Sequence, residues 1–217
     1  MQASGIVLAG GASRRMGRDK AWIELSGKFL IVRVMEALQD LCSEIIVVAN
    51  DVELFEKLDA RVVRDEFPNT GSLGGLYSGL NAAQNELAVA VACDMPFLNV
   101  DLLKFLISLS FDCDIVIPSA YDAKRRGDER KTWQGGNENT AKKMNLHPLH
   151  AIYRKTCLPP MREKILQNDL RMISFHDAMR VKIVEQSEIE KIDPQLLSFW
   201  NVNTPEELSK AEAFSAQ

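Results

Sequence analysis

Between Leu8 and Lys20 the chain reads Leu8-Ala9-Gly10-Gly11-Ala12-Ser13-Arg14-Arg15-Met16-Gly17-Arg18-Asp19-Lys20. A short apolar run, Gly5 to Leu8, stops at two adjacent glycines, and cationic side chains follow directly. Glycine lets the main chain come close to a ligand, and a glycine turn presents backbone N–H groups. Joined to Arg and Lys, such a turn suits an anion with several oxygens, such as a triphosphate. Gly17 is followed by Arg18 rather than by Lys and Ser/Thr, which excludes a Walker A loop; Gly10-Gly11-Ala12 breaks the G-x-G-x-x-G spacing of a dinucleotide fingerprint. A glycine pair alone would read as an ordinary turn with solvated charges. The clustered cations at a strand's C-terminal end favour phosphate. A second candidate is Asp94, in Asp94-Met95-Pro96 just after the strand-like run Leu87 to Cys93. Open α/β sheets place their chemistry at this end of a central parallel strand. Asp94 either caps the next turn or ligates Mg²⁺, which on nucleotides takes one or two carboxylates plus phosphate oxygens.

The elements that must position these groups alternate in type. Glu44 to Asn50 is a continuous β-branched run, the mark of a strand buried on both faces. Ala60–Arg64, Cys113–Pro118, Leu149–Tyr153, Val181–Val184 and Phe199–Asn203 read as further strands. Leu30, Val34, Leu38 and Leu41 lie at helical spacing within Phe29 to Leu41. Helices are also expected over Val52–Leu58, Leu73–Gln84, Asp101–Leu109, Leu158–Gln167 and Met172–Met179, with Asn99 as a cap. A last helix opens at Thr204-Pro205, Thr204 as N-cap and Pro205 at the first position. Three glycines inside Leu73–Gln84 (Gly74, Gly75, Gly79) each weaken that helix by about 1 kcal/mol against Ala. They imply either a ligand close to the backbone or tight packing of helix on sheet. The alternation gives an α/β class: a three-layer α/β/α, Rossmann-like arrangement with a mostly parallel central sheet. All the polar candidates then fall after strands at one edge: Gly10 to Lys20, Asp65, Asp94, Asn201 and Asn203.

Composition bounds the rest. The 217 residues fit one domain with ample core, and 46% hydrophobic with 26% charged residues is ordinary for a soluble globular protein. A net charge of -4 argues against a nucleic-acid-binding surface. Four scattered cysteines (Cys42, Cys93, Cys113, Cys157) without C-x-x-C fit a reducing compartment and form no zinc or disulfide framework. No signal pattern and no membrane-length apolar run is present, so a cytoplasmic address and no membrane partner are expected. His147 and His150 read as polar residues flanking a strand start, since Pro148 breaks helical pairing and no third ligand stands near. Cys93 reads as a buried strand cysteine.

The chain resembles the nucleotidyltransferases, and most closely the molybdenum cofactor guanylyltransferases. The residues that carry this are the Leu8–Lys20 block, Gly71-Ser72-Leu73-Gly74-Gly75-Leu76, Asp94-Met95-Pro96-Phe97-Leu98 and Asn201-Val202-Asn203-Thr204-Pro205-Glu206-Glu207-Leu208. The resemblance runs nearly end to end. It implies transfer of GMP from GTP to molybdenum-loaded molybdopterin, giving the guanine dinucleotide form and pyrophosphate. By the same resemblance Leu8, Ala9, Gly10 and Gly11 hold the nucleotide, Lys20 and Arg15 bind its phosphates, and Asp65 and Gly74 contact it. Arg15, Lys20 and Asp94 are then the catalytic set, Asp94 binds Mg²⁺, and Asn201 and Asn203 lie toward the pterin. The protein is expected to act as a monomer, with transient contact to a molybdopterin-delivering protein. Two features depart from the family: Val48 stands where some relatives carry a polar residue, and segment 122–145 is longer than usual. That segment is rich in Lys and Arg and reads either as a flexible flap over the pterin side or as a solvated loop. The rival readings are a cytidylyltransferase acting on molybdopterin, a sugar-phosphate nucleotidyltransferase, and a non-catalytic nucleotide-binding module.

Overall fold

The computed structural model describes residues 2–9, 19–120 and 145–215. In chain order the elements are β1 (Ala3–Leu8), β2 (Glu24–Leu25), β3 (Lys28–Phe29), α1 (Leu30–Gln39), β4 (Cys42–Ala49), β5 (Arg61–Arg64), α2 (Gly71–Ala82) and β6 (Leu87–Ala92). There follow α3 (Val100–Ser108), β7 (Ile115–Ser119), β8 (His150–Arg154), α4 (Leu158–Leu166), β9 (Val181–Glu185), α5 (Gln186–Ile189) and α6 (Pro205–Ser215). Among the described residues one seven-stranded sheet runs in the order β5-β4-β1-β6-β8-β7-β9. The β1, β4, β5 and β6 pairings are parallel, as is β7 with β9; β8 runs against both β6 and β7. A two-stranded hairpin, β2 with β3, stands apart, and its two turn residues, Ser26 and Gly27, both have positive φ.

Successive strand residues point to opposite faces, and each face is apolar, so the central strands read as unbroken hydrophobic runs. Val7, Val47, Val89 and Val91 pack under α1, α3 and α5. Ile6, Leu8, Ile46, Val48, Ala88 and Ala90 pack under α2 and α4. The sheet therefore lies between two helical layers, the α/β/α arrangement expected from the alternation of elements. A third, smaller core joins the hairpin to the C-terminal region: Ile23, Leu25 and Leu30 against Val202 and Ala211.

Three expected elements take another form. Phe199–Asn203 is not a strand: the Asp193 carboxylate accepts from the Leu197 and Ser198 N–H groups (3.2 and 2.9 Å) and turns Leu197–Phe199 into a short 3₁₀ helix. Its apolar residues mark burial rather than pairing, Phe199 in the main core and Val202 in the small one. Val52–Leu58 holds only a 3₁₀ turn at Glu53–Phe55, and Met172–Met179 is a series of turns with a 3₁₀ turn at His176–Ala178.

Two of the three α2 glycines, Gly74 and Gly79, are packing positions. A Cβ at Gly79 would run into Ile6 Cγ2 and come within 3.0 Å of Val48 Cγ2, and one at Gly74 would meet the Thr70 side chain and the Phe67 carbonyl. A Cβ at Gly75 would only touch Leu8, at 3.4 Å. Gly79 thus lets α2 sit directly on β1 and β4, and Gly74 admits the preceding loop. Gly79→Ala is expected to lower the stability of the chain by about 1–3 kcal/mol, the usual penalty for overpacking. Gly75→Ala should change it far less. Urea unfolding of both variants measures the difference, and equal midpoints would contradict the packing role.

Candidate active site

A cleft of about 420 Å³ opens at the C-terminal ends of β1 and β6. Hydrogen bonds at the strand ends build its floor. Ala9 N–H donates to the Val48 carbonyl (2.9 Å), and Cys93 N–H donates to the Leu8 carbonyl (3.1 Å). These bonds carry the parallel ladder one residue past each strand and bring Ala9 beside Cys93-Asp94. Asp94 is tied in turn to the C-terminal region, because Val202 N–H donates to its backbone carbonyl (2.9 Å).

Lys20 enters from the other side. The Asp19 side chain accepts from Ala21 N–H (3.0 Å) and starts a 3₁₀ turn over Lys20–Trp22. Burial raises the Asp19 carboxyl pKa, with Asp51 nearby adding to the rise. Trp22 stacks on Phe55 (centroids 5.2 Å from Phe29 and 5.5 Å from Phe55), which fixes the turn on the main core. The Lys20 ammonium then lies 3.3 Å from Asp94 Oδ2 and also donates to Asn203 Oδ1. Lys20 and Asp94 are 15% and 14% exposed, so their charges are largely withdrawn from water and answer one another.

The structure brings together much of the set read from sequence. Leu8, Ala9, Lys20, Asp94, Asn201 and Asn203 all line the cleft. Gly10, Gly11 and Arg15 lie outside the described residues, as does segment 122–145 apart from Asn145. Asp65 lines a small recess that shares Leu8 and Ser72 with the cleft, and its Oδ1 accepts from Phe67 N–H and the Ser78 hydroxyl (both 2.9 Å). Gly74 is buried against the loop before α2 and lines neither space. Gly75, by contrast, lines the recess beside Asp65.

Sequence reasoning missed several lining residues. Ser72 was placed before the helix, but α2 starts at Gly71, so Ser72 lies in its first turn, where unpaired N–H groups favour anions. His147, Met172 and Asp19 also line the cleft. His147 Nε2 lies 2.8 Å from the Ala120 carbonyl, and its ring rests on Phe199 at 4.3 Å. Nothing in the spacing of these residues signals this, because Met172 and His147 arrive through turns.

Two residues near the cleft are chemically quiet. Cys93 is buried, and that burial pushes its thiol well above the usual range, so it is no thiolate nucleophile at neutral pH. His150 is fully buried, and neither ring nitrogen has a hydrogen-bond partner among the described residues. No group of three or more His, Cys, Asp or Glu among the described residues could hold a metal by itself. No described helix is long and apolar enough to cross a membrane.

A lysine-carboxylate-amide cluster thus stands over the C-terminal edge of a mostly parallel sheet, the edge at which open α/β sheets bind their ligands. The chain belongs to the MobA-like NTP transferase domain family, whose model matches residues 5–180. It is 34% identical over 212 residues to a molybdenum cofactor guanylyltransferase of Desulfosudis oleivorans, covering 97% of this chain and 94% of that one. It is 36% identical to a probable molybdenum cofactor guanylyltransferase of Chloroflexus aggregans, covering 99% and 95%. Among solved structures it matches molybdopterin-guanine dinucleotide biosynthesis protein A from Archaeoglobus fulgidus with a TM-score of 0.76 and 26% identity, over 98% of each chain. A 2-C-methyl-D-erythritol 4-phosphate cytidylyltransferase from Thermus thermophilus, at 16% identity and TM-score 0.69, shares the fold.

The buried imidazole carries a pH signature. Burial lowers the His150 pKa from 6.5 to about 3, with His147 pushing the same way. The unfolded chain thus binds a proton in this range that the folded chain refuses. This stability is fully present above pH 6.5 and is lost as the pH falls toward 3. His176, lowered to about 4 mainly by burial, acts in the same sense. His150→Phe should therefore narrow the gap between denaturant midpoints at pH 7 and pH 4.5 without abolishing it. An unchanged gap would contradict a neutral, buried His150.

Proposed function

We propose that this chain transfers GMP from GTP to molybdopterin carrying molybdenum, releasing pyrophosphate, within one nucleotidyltransferase domain. The observation that carries the reading is Lys20 held between Asp94 and Asn203 in the cleft, in a chain whose close relatives bear the guanylyltransferase name. A phosphate oxygen of the pterin attacks the α-phosphorus of GTP. A new P–O–P linkage forms, the bond to the β-phosphate breaks, and the electron pair leaves with pyrophosphate. The attacking oxygen is already anionic, so the protein needs neither a nucleophile nor a strong base. Positioning and neutralisation of charge then make up the catalysis.

Each part of the site has a task in that scheme. The extended ladder presents Leu8 and Ala9 backbone to the nucleotide, and the first turn of α2 supplies N–H donors at Ser72. Lys20 faces the phosphates and offsets charge that builds on the departing pyrophosphate. Leu146, Pro148, Leu149 and Met172 give the opposite wall an apolar surface that suits the flat pterin and keeps water from the phosphates. A Mg²⁺ held by Asp94 and the nucleotide's own phosphates fits this donor set, and when bound it supplies further neutralisation of the phosphate oxygens. Arg15 and the glycines Gly10 and Gly11 are assigned to the phosphates by family resemblance.

Lys20→Ala is expected to lower kcat by about 10²–10³, the scale for losing one contact to developing charge. A raised KM with unchanged kcat would instead mean that Lys20 serves ground-state binding. Asp94→Asn should abolish transfer with the fold retained, since an amide is a poorer ligand for a hard divalent cation. Wild-type turnover with Mg²⁺ in that variant would remove Asp94 from the metal site. In competition for the pterin, GTP should be used in preference to CTP. Equal use of CTP would favour the cytidylyltransferase reading, and release of pyrophosphate only with a sugar phosphate would favour the third enzyme class.

A further inference from the structure

We infer that Asn203 is a positioning residue for Lys20, set in place by Glu207, rather than a contact for the pterin. The inference rests on the reading of Lys20 as the phosphate-facing cation. Lys20 and Asn203 are 183 positions apart, yet the ammonium donates directly to Asn203 Oδ1. A lysine side chain has four rotatable bonds and a compact charge, so a single carboxylate leaves its direction open. Asp94 supplies one partner at 3.3 Å; Asn203 supplies a second from another part of the chain and fixes the direction of the N–H bonds.

The Asn203 backbone is itself pinned on both sides. Its N–H donates to Glu207 Oε2 at 2.6 Å, and Glu207 N–H donates to the Thr204 hydroxyl at 3.2 Å. Thr204 and Glu207 stand in the relation of a helix N-cap to its third residue, and the glutamate reaches back one residue beyond the cap to Asn203. On the other side Val202, fully buried in the small core, donates its N–H to the Asp94 carbonyl. That core also holds Ile23, Leu25 and Leu30, which follow Lys20 directly. The start of α6 and the Lys20 turn are thus clamped by the same apolar contacts. The side-chain amide lies where that clamp fixes the lysine.

The test begins with wild-type pyrophosphate release from GTP and molybdopterin; its absence would refute the proposed function without bearing on the hydrogen bond. In the active enzyme, Asn203→Ala should lower kcat by about 10–10²-fold while the KM for the pterin stays within about twofold. In a Lys20→Ala background the same substitution should have no further effect. Asn203→Asp, which keeps an acceptor oxygen, should recover most of the lost kcat. Independently of turnover, acetic anhydride should modify Lys20 faster in ligand-free Asn203→Ala than in wild type, read by peptide mass spectrometry against the other lysines. Glu207→Gln should raise the labelling rate less than Asn203→Ala does. Unchanged Lys20 labelling, a raised pterin KM at constant kcat, or additive losses in the double variant would each overturn the inference. Matching melting temperatures of Asn203→Ala and Asn203→Asp separate these results from misfolding.

Discussion

The site depends on one constraint: a lysine ammonium, mostly withdrawn from water, is met by partners from distant parts of the chain. Lys20 finds them at Asp94 and Asn203, 74 and 183 positions away. An unpaired charge at that depth would be expensive, whereas a paired and hydrogen-bonded one is tolerated. The strand end at Ala92, the turn at Lys20–Trp22 and the entry to α6 all converge on this point. Displacing either of the first two would part Lys20 from Asp94, and displacing the third would remove the amide partner.

The sheet makes that convergence possible. Parallel strands send all their C-terminal ends to one edge, so loops distant in sequence meet there. β1 lies between β4 and β6, and one hydrogen bond beyond each pairing holds Ala9 to the Val48 carbonyl and Cys93 to the Leu8 carbonyl. Behind them Gly79 brings α2 onto β1 and β4, which sets the first turn of α2 over the cleft. The reversed strand β8 closes the other side. His147-Pro148-Leu149, just before it, forms part of the cleft wall. Fully buried His150 begins β8 opposite Val91, so that wall rests on the core rather than on solvent.

Much of this was legible in the sequence because its causes are local. Apolar runs such as Leu87–Cys93 have few ways to be buried other than as central strands, and Asp94 follows at once. The Thr204-Pro205 start of α6 follows from cap and φ preferences alone. The rest depends on distant groups. Phe199 and Val202 look like strand residues, but Asp193 captures the backbone N–H groups that a ladder would need. Gly79 could serve a ligand or a neighbouring strand, and only the position of Ile6 and Val48 decides between them. Asn203 was placed on the pterin side by resemblance; that it meets Lys20 depends on a small core whose members lie at both ends of the chain.

The chemistry asks little of the protein beyond this geometry. An anionic acceptor and a good leaving group leave charge and orientation as the main barriers. In the proposed reaction both fall to the lysine-carboxylate-amide cluster. The most direct measurement follows two labels separately, with GTP carrying ³²P at either the α or the γ position and molybdopterin as acceptor. Guanylyl transfer through this cleft predicts that the α label enters the pterin product while the γ label leaves as pyrophosphate. Transfer of the γ label to the pterin, or retention of both labels in GTP, would contradict it.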